Sequence, residues 1–142
     1  MTVRQILDEK GREVVTVSPT MTTEEAARHL AEHRIGAVIV TGVSGKISGI
    51  LSERDIVRAM AAKGAAALSA PISSIMTANV VTCSEEHTVN QVMELMTNGR
   101  FRHLPVEKAG RLVGIISIGD VVRRRIEDVE REAEEIKAYI AG

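Results

Sequence analysis

The apolar residues of this chain change rhythm in the same order twice. Val14, Val15 and Val17 form a short β-prone run, and Val80, Val81 and Cys83 form another. After the first run, Thr22 with Glu25 three residues on spells a capping box; Ala27, Leu30, Ala31 and Arg34 trace the helix that follows, the first three being apolar. After the second run, Val89, Val92, Met93 and Met96 give a cleaner i, i+3, i+4, i+7 stripe, so both copies predict an amphipathic helix. "AVIV" and "HLPV" then read as strands, turns containing "SGK" and "AGR" follow, and "ISGIL" and "LVGII" read as the returning strands. A second helix begins after "SERD" in one copy and "SIGD" in the other.

The pattern reflects an internal repeat. "VVTVSPTMTTEEAARHLAEHRIGAVIV" (14–40) aligns with "VVTCSEEHTVNQVMELMTNGRFRHLPV" (80–106) at an offset of 66, and "GKISGILSERDIVRAM" (45–60) aligns with "GRLVGIISIGDVVRRR" (110–125) at 65. The leaders "VRQIL" (3–7) and "ISSIM" (72–76) also agree, each placed before a first strand. The expected organisation is a first repeat at 1–62, an Ala/Gly/Ser-rich linker at 63–71, a second repeat at 72–125 and a helical extension at 126–142. A unit of about 60 residues buries only about 60% of its surface and is marginal alone. Two such units, packed face to face about a pseudo-twofold axis with a cleft between them, resolve that difficulty.

Composition narrows the function. The 142 residues are 44% apolar, ample for a core, and no run approaches the roughly 18 residues of a membrane span. The start "MTVRQILDEKG" has neither the apolar segment nor the cleavage site of a signal peptide, so a cytoplasmic location with no membrane partner is expected. Cys83 is the single cysteine and reads as a buried strand thiol. The formal net charge of −1 and the two aromatic residues, Phe101 and Tyr139, argue against a nucleic-acid partner, which would want a basic groove with stacking rings.

The repeated "GILSERD" (49–55) and "GIISIGD" (114–120) carry the candidate chemistry. Ser followed three residues later by an acid caps a helix, which alone accounts for Ser52 with Asp55 and Ser117 with Asp120. Two details ask for more. Reach-back in a capping box is usually made by Glu or Gln, whereas both copies carry the shorter Asp. Each copy also places a glycine, Gly49 or Gly114, inside an apolar strand, where it weakens packing unless something approaches closely. A strand running into a helix N-terminus suits an anionic phosphate, a carboxylate there can accept from both ribose hydroxyls, and Ile50 and Ile115 can flank a base.

This G-h-h-S-x-x-D sentence, repeated after a β-α-β-β pattern with "FRHLPV" in the middle strand, resembles a tandem pair of cystathionine-β-synthase (CBS) domains, the Bateman module, over residues 3–125. The resemblance implies an α/β fold of the α+β type: two β-α-β-β-α repeats with pseudo-twofold symmetry and an extended C-terminal helix. It implies a regulatory sensor without catalytic activity that binds AMP or another adenine nucleotide (ADP, ATP), with NAD(H) or S-adenosylmethionine as further ligands of such modules and no metal required. One pocket would use Ile115, Ser117 and Asp120 with Thr16, Met21, Ile35, Gly36 and Ala37. Its mirror would use Ile50, Ser52 and Asp55 with Thr82, His87, Phe101, Arg102 and His103. Phosphates would meet Arg100, Arg102, His103 and Arg54; the partner segment "RIGA" supplies only Arg34, so the two pockets should differ in phosphate affinity.

Other signals are weaker. His29 and His33 stand four apart, the spacing of a shared metal, with no third ligand to complete a site. No nucleophile elbow, Walker loop or GxGxxG is spelled, which leaves a small nucleotide-converting enzyme without machinery. In the tail, Val122, Ile126, Val129, Ala133, Ile136 and Ile140 alternate steps of four and three, which suits either a helix packed back on its own module or a contact between copies. Bateman modules commonly pair, so the resemblance implies a homodimer. The repeats and tail occupy the whole chain, so output is expected through a separate protein target. The rival from another class is an interaction scaffold whose pockets are vestigial.

Overall fold

The computed structural model describes residues 1–141. Its elements run α1 (Val3–Lys10), β1 (Thr16–Val17), α2 (Thr23–His33), β2 (Ala37–Thr41), β3 (Ile47–Ser52), α3 (Glu53–Lys63), α4 (Val89–Gly99), β4 (His103–Lys108), β5 (Arg111–Ser117) and α5 (Ile118–Ala141). The expected cap at Thr22 opens α2, its Oγ1 accepting from the Glu25 amide at 3.2 Å, and Thr88, not singled out from the sequence, opens α4 with a full capping box, its Oγ1 accepting from the Gln91 amide at 3.1 Å. Both helices end on an arginine in the left-handed region, Arg34 at φ 53° and Arg100 at φ 56°. In the first repeat β1 pairs parallel with β2, and β2 antiparallel with β3. In the second, β4 and β5 form an antiparallel hairpin, and the run expected to be its first strand contributes a single parallel bridge, Cys83 to Val106. Val80 and Val81 form no ladder and line the cleft described below.

The two leaders are crossed. Val3, Ile6 and Leu7 of α1 are buried with Cys83, Val89, Val92, Met96, Leu104, Val106, Ile116 and Val121, the core of the second repeat. Ile72, Ile75 and Met76 pack instead with Val17, Ala26, Leu30, Val38, Val40, Leu51 and Ile56, the core of the first. Backbone bonds fix each crossing: the Val3 amide donates to the His87 carbonyl and the Ile72 amide to the Met21 carbonyl, both at 2.9 Å. Each fully buried Leu or Ile removed from water contributes about 1.5–3 kcal/mol, so each leader holds the other repeat's core together.

The crossing accounts for the repeated glycines. A Cβ on Gly49 would lie 2.7 Å from both Met76 Sδ and the Thr77 carbonyl, and one on Gly114 would lie 2.7 Å from Leu7 Cδ2. The thing that approaches each strand is the exchanged leader. The linker is also more ordered than its composition suggests: Gly64–Ser69 is a 3-10 helix with Ala67 fully buried, and the Ala70 carbonyl accepts from both the amide and the hydroxyl of Thr23 at 2.9 Å.

Helix α5 is unbroken over 24 residues, about 36 Å. Buried Arg124 ties its start to Glu9 at 2.5 Å, and every residue from Val129 to Ala141 is exposed. The tail therefore does not pack back on its own module; Val122, Ile126, Val129, Ile136 and Ile140 form an uncovered apolar stripe.

Candidate functional site

A cleft of about 440 Å³ opens where β3 runs into α3. Its floor is the Ser52–Asp55 turn. The Asp55 amide donates to Ser52 Oγ at 3.3 Å, and the Ser52 amide donates to Asp55 Oδ2 at 3.0 Å. The shorter acid thus completes the capping box in full, against the expectation that Asp would reach back poorly, because the turn brings the two residues within reach. Both bonds to the carboxylate, from the Ser52 amide and from its hydroxyl at 3.2 Å, use Oδ2, which leaves Oδ1 without a hydrogen bond among the described residues.

Around that carboxylate stand Arg54 and Arg58 from α3 and Arg100 and Arg102 from the segment joining α4 to β4. Against these four guanidinium groups are the carboxylates of Glu53 and Asp55, so the cleft carries a positive surplus at a helix N-terminus. Its apolar wall is Ile50, Val80, Val81 and Phe101. His103 also lines it, its ring 3.3 Å from where a Cβ on Gly36 would stand, so the two repeats approach closely there and a larger residue at 36 would have to push the ring aside. Burial lowers the pKa of His103 below its usual value; Lys10 and Arg102 lower it further, and Glu53 and Asp120 oppose them.

The mirror position is built the same way and filled differently. Asp120 caps α5, its amide donating to Ser117 Oγ at 3.2 Å and its Oδ2 accepting from the Ser117 amide at 2.9 Å. Lys10, at the end of α1, then places Nζ 2.7 Å from Asp120 Oδ2 and 2.9 Å from the Ile115 carbonyl. Burial alone would raise the Asp120 pKa; the Lys10 and Ser117 hydrogen bonds outweigh it and hold the carboxyl below its usual value. In the open cleft the Ile50 carbonyl accepts instead from the Thr77 amide at 2.9 Å.

Comparison with known proteins fixes the family. The CBS domain model matches residues 3–62 and 72–127, most of the chain and both repeats. The chain belongs to the CBS-domain family. CBS domains are regulatory, non-catalytic modules, and among the described residues no group of three or more His, Cys, Asp or Glu side chains is placed to hold a metal. The CBS-domain containing protein ATU1752 from Agrobacterium tumefaciens is 56% identical, with TM-score 0.86 over 87% of this chain and 92% of that one. CBS domain protein PAE2072 from Pyrobaculum aerophilum, complexed with AMP, is 30% identical, with TM-score 0.76 over 84% and 89% of the two chains. The CBS domain pair of protein MJ0100, in complex with 5-methylthioadenosine and S-adenosyl-L-methionine, is 29% identical, with TM-score 0.81 over 90% and 98%.

Within this CBS pair, Ile50, Ser52, Arg54, Asp55, Arg100, Phe101, Arg102 and His103 converge on the open cleft. Gly36, assigned from the sequence to the opposite pocket, lines it too. Thr82 and His87 stand outside the lining: Thr82 Oγ1 donates to Glu107 at 3.3 Å, and His87 Nδ1 accepts from the Ser84 amide at 3.0 Å within its own turn. Of the set assigned to Asp120, Ser117 caps α5, Ile115 is held through its carbonyl by Lys10, Thr16 is exposed on β1, Ala37 is buried opposite Ser52, and Met21 and Ile35 pack against the first core. Sequence reasoning passed over Arg58, although it lies one turn beyond Arg54. It also passed over Thr77, Asn79 and Lys10, whose arrival depends on the crossed leaders and has no signature in local spacing.

Proposed function

We propose that the protein is a regulatory sensor that binds an adenine nucleotide in the cleft at Asp55. The observation that carries this reading is the combination around one helix N-terminus of a carboxylate with an oxygen that takes no hydrogen bond among the described residues, four arginines and an apolar wall. Those are the partners of a ribose, a phosphate and a base respectively. The AMP of the Pyrobaculum relative and the methylthioadenosine and S-adenosylmethionine of the MJ0100 pair support the ligand class. ATP, ADP and NAD(H) share the adenosine and phosphate that the cleft addresses, and AMP is the smallest member of the set to fit it. Calorimetric titration with AMP tests the reading, using wild type and Asp55→Asn, which keeps an oxygen for the cap. Charge-assisted hydrogen bonds are worth about 1.5–3 kcal/mol, so Asp55→Asn should weaken binding by at least about tenfold. A folded wild type that takes up no AMP, ATP, NADH or S-adenosylmethionine at millimolar concentration overturns it.

The uncovered stripe on α5 favours a second component of this reading, a homodimer whose copies meet along Val122, Ile126, Val129 and Ile136 and which presents the nucleotide state to a protein target. The scaffold alternative shares that surface and differs only in having no use for the cleft. Sedimentation of wild type against Ile126→Asp/Ile136→Asp reads the dimer, and repeating the AMP titration on that variant separates sensing from scaffolding.

A further inference from the structure

The two halves of the module place their exchanged leaders alike, each against the glycine of the other repeat's returning strand. Leu7 and Met76 are equivalent, since each is the residue a Cβ on Gly114 or Gly49 would strike. Counting on from them, Lys10 is the counterpart of Asn79, and Asn79 lines the open cleft. The paths then diverge. On the Met76 side the short 3-10 helix has already ended at Ser74, and Thr77 pairs by an isolated antiparallel bridge with Ile50. After Leu7 the helix continues for another turn, so position 10 is carried over the end of β5 as a helical side chain. Its ammonium lands on the two groups of the second site that a ligand would need, the Asp120 carboxylate and the Ile115 carbonyl.

Resting on the nucleotide reading above, we infer that Lys10 is a built-in competitor for the Asp120 site, so that the two sites of one chain load unequally and in order, Asp55 first. Asp120 is only 11% exposed and Lys10 31%, so the pair is shielded well enough to be more than a solvated surface contact. A ribose can reach Asp120 only after the ammonium has left both the carboxylate and the carbonyl. The Asp55 site sets no such toll, because its counterpart residue Asn79 bears no charge and Asp55 has no cationic partner within 4.0 Å among the described residues. Unequal sites follow from one extra helical turn and one side chain.

The test is the number and spacing of AMP binding events per chain, read by calorimetry and native mass spectrometry. Wild type should load one AMP tightly and a second at least about tenfold more weakly, the factor equivalent to about 1.4 kcal/mol. Lys10→Met, which keeps the aliphatic stem, should strengthen the weak event roughly ten- to a hundredfold, the range of a charge-assisted hydrogen bond, and leave the tight one unchanged. Lys10→Arg should keep the site closed. In Lys10→Met/Asp55→Asn the strengthened event should persist, and in Lys10→Met/Asp120→Asn it should vanish. Two equal events in wild type, or a second event that Lys10→Met weakens or leaves unchanged, overturns the inference while the nucleotide reading stands. No AMP bound by wild type or Lys10→Met overturns both.

Discussion

Adding one methyl group at Gly49 tests the crossed architecture directly. In an isolated strand, Gly→Ala is stabilising, by about 0.5–1 kcal/mol, because glycine loses more freedom on folding. Here the new Cβ would sit 2.7 Å from the Thr77 carbonyl oxygen and 2.7 Å from Met76 Sδ, whereas ordinary contact starts near 3.4 Å, so the leader must retreat by about 0.7 Å. The sulfur can move. The carbonyl cannot move freely, because the Ile50 and Thr77 peptides exchange two hydrogen bonds of 2.9 Å at that point. Overpacking costs about 1–3 kcal/mol and a weakened hydrogen bond about 1, so after the glycine gain Gly49→Ala should destabilise by about 2 kcal/mol. With about 2.1 cal/mol/K of unfolding entropy per residue, a chain of 142 residues has about 300 cal/mol/K, and Tm should fall by about 7 °C. At Gly114 the obstruction is only the end of the Leu7 side chain, so Gly114→Ala should cost about half as much. Thermal melts followed by circular dichroism at 222 nm give both values. A Gly49→Ala protein that melts at or above wild type, or that is less damaged than Gly114→Ala, would refute the argument that the exchanged leader dictates glycine there.

Arg100 adopts φ 56° while lining the cleft, a conformation glycine takes at no steric penalty. Arg100→Gly should therefore leave Tm unchanged or raise it by up to about 3 °C while lowering AMP affinity, and a variant that loses stability and keeps affinity would contradict both halves. Burial pushes the Cys83 thiol up to about 12, so iodoacetamide at pH 8 should leave the native protein unmodified and label it fully in urea; fast labelling of the folded protein would show that the second core is open. The Asp120 carboxyl is held below its usual value, so its contribution to stability is present above about pH 4 and lost as pH falls through the lowered folded value. Denaturant titrations between pH 3 and 7 should show a smaller acid loss for Asp120→Asn than for wild type, and parallel profiles would exclude this carboxylate as a contributor.

Most of the fold was legible because each unit is short and written twice. The Val89, Val92, Met93, Met96 stripe and the Thr22 cap needed only local physics, and the returning strands pair with "AVIV" and "HLPV" as expected. The first strand of the second repeat was not legible, since Val80 and Val81 have strand propensity but face a cleft. That is a tertiary decision overriding propensity. The core half of the site was legible because the Ser-x-x-Asp turn of Ser52 and Asp55 recurs in a fixed relation to strand and helix, and the "RFRH" cluster, present once, stands out against its counterpart "RIGA". What arrived from the other repeat was not. Gly49 and Gly114 signalled that something comes close, and the sequence offered a ligand as the natural candidate, but the partner is the crossed leader. Lys10 carries no mark that sets it apart from any lysine at a helix end; only the extra turn of α1 sends it to Asp120.

The crossing also bears on how a sensor of this build would transmit its state. The open cleft draws Ser52, Asp55 and Arg58 from the first repeat, Gly99 to His103 from the second, and Thr77, Asn79, Val80 and Val81 from the segment that follows the second leader. A ligand seated there touches all three at once, so any change in the angle between repeats changes its distance to Arg100 and Arg102 relative to Asp55. A nucleotide can shift the module only by as much as it binds one arrangement better than the other, and a tenfold preference corresponds to about 1.4 kcal/mol. The repeats share their cores through the exchanged leaders, which makes a large rotation costly. Small displacements passed along α5 are the output this architecture permits: Arg124 binds the start of that helix to Glu9 of α1, and the same α1 ends at Lys10 on Asp120. Release of Lys10 by a second ligand would loosen the end of α1 where the neighbouring Glu9 holds Arg124, and the exposed tail would feel the change.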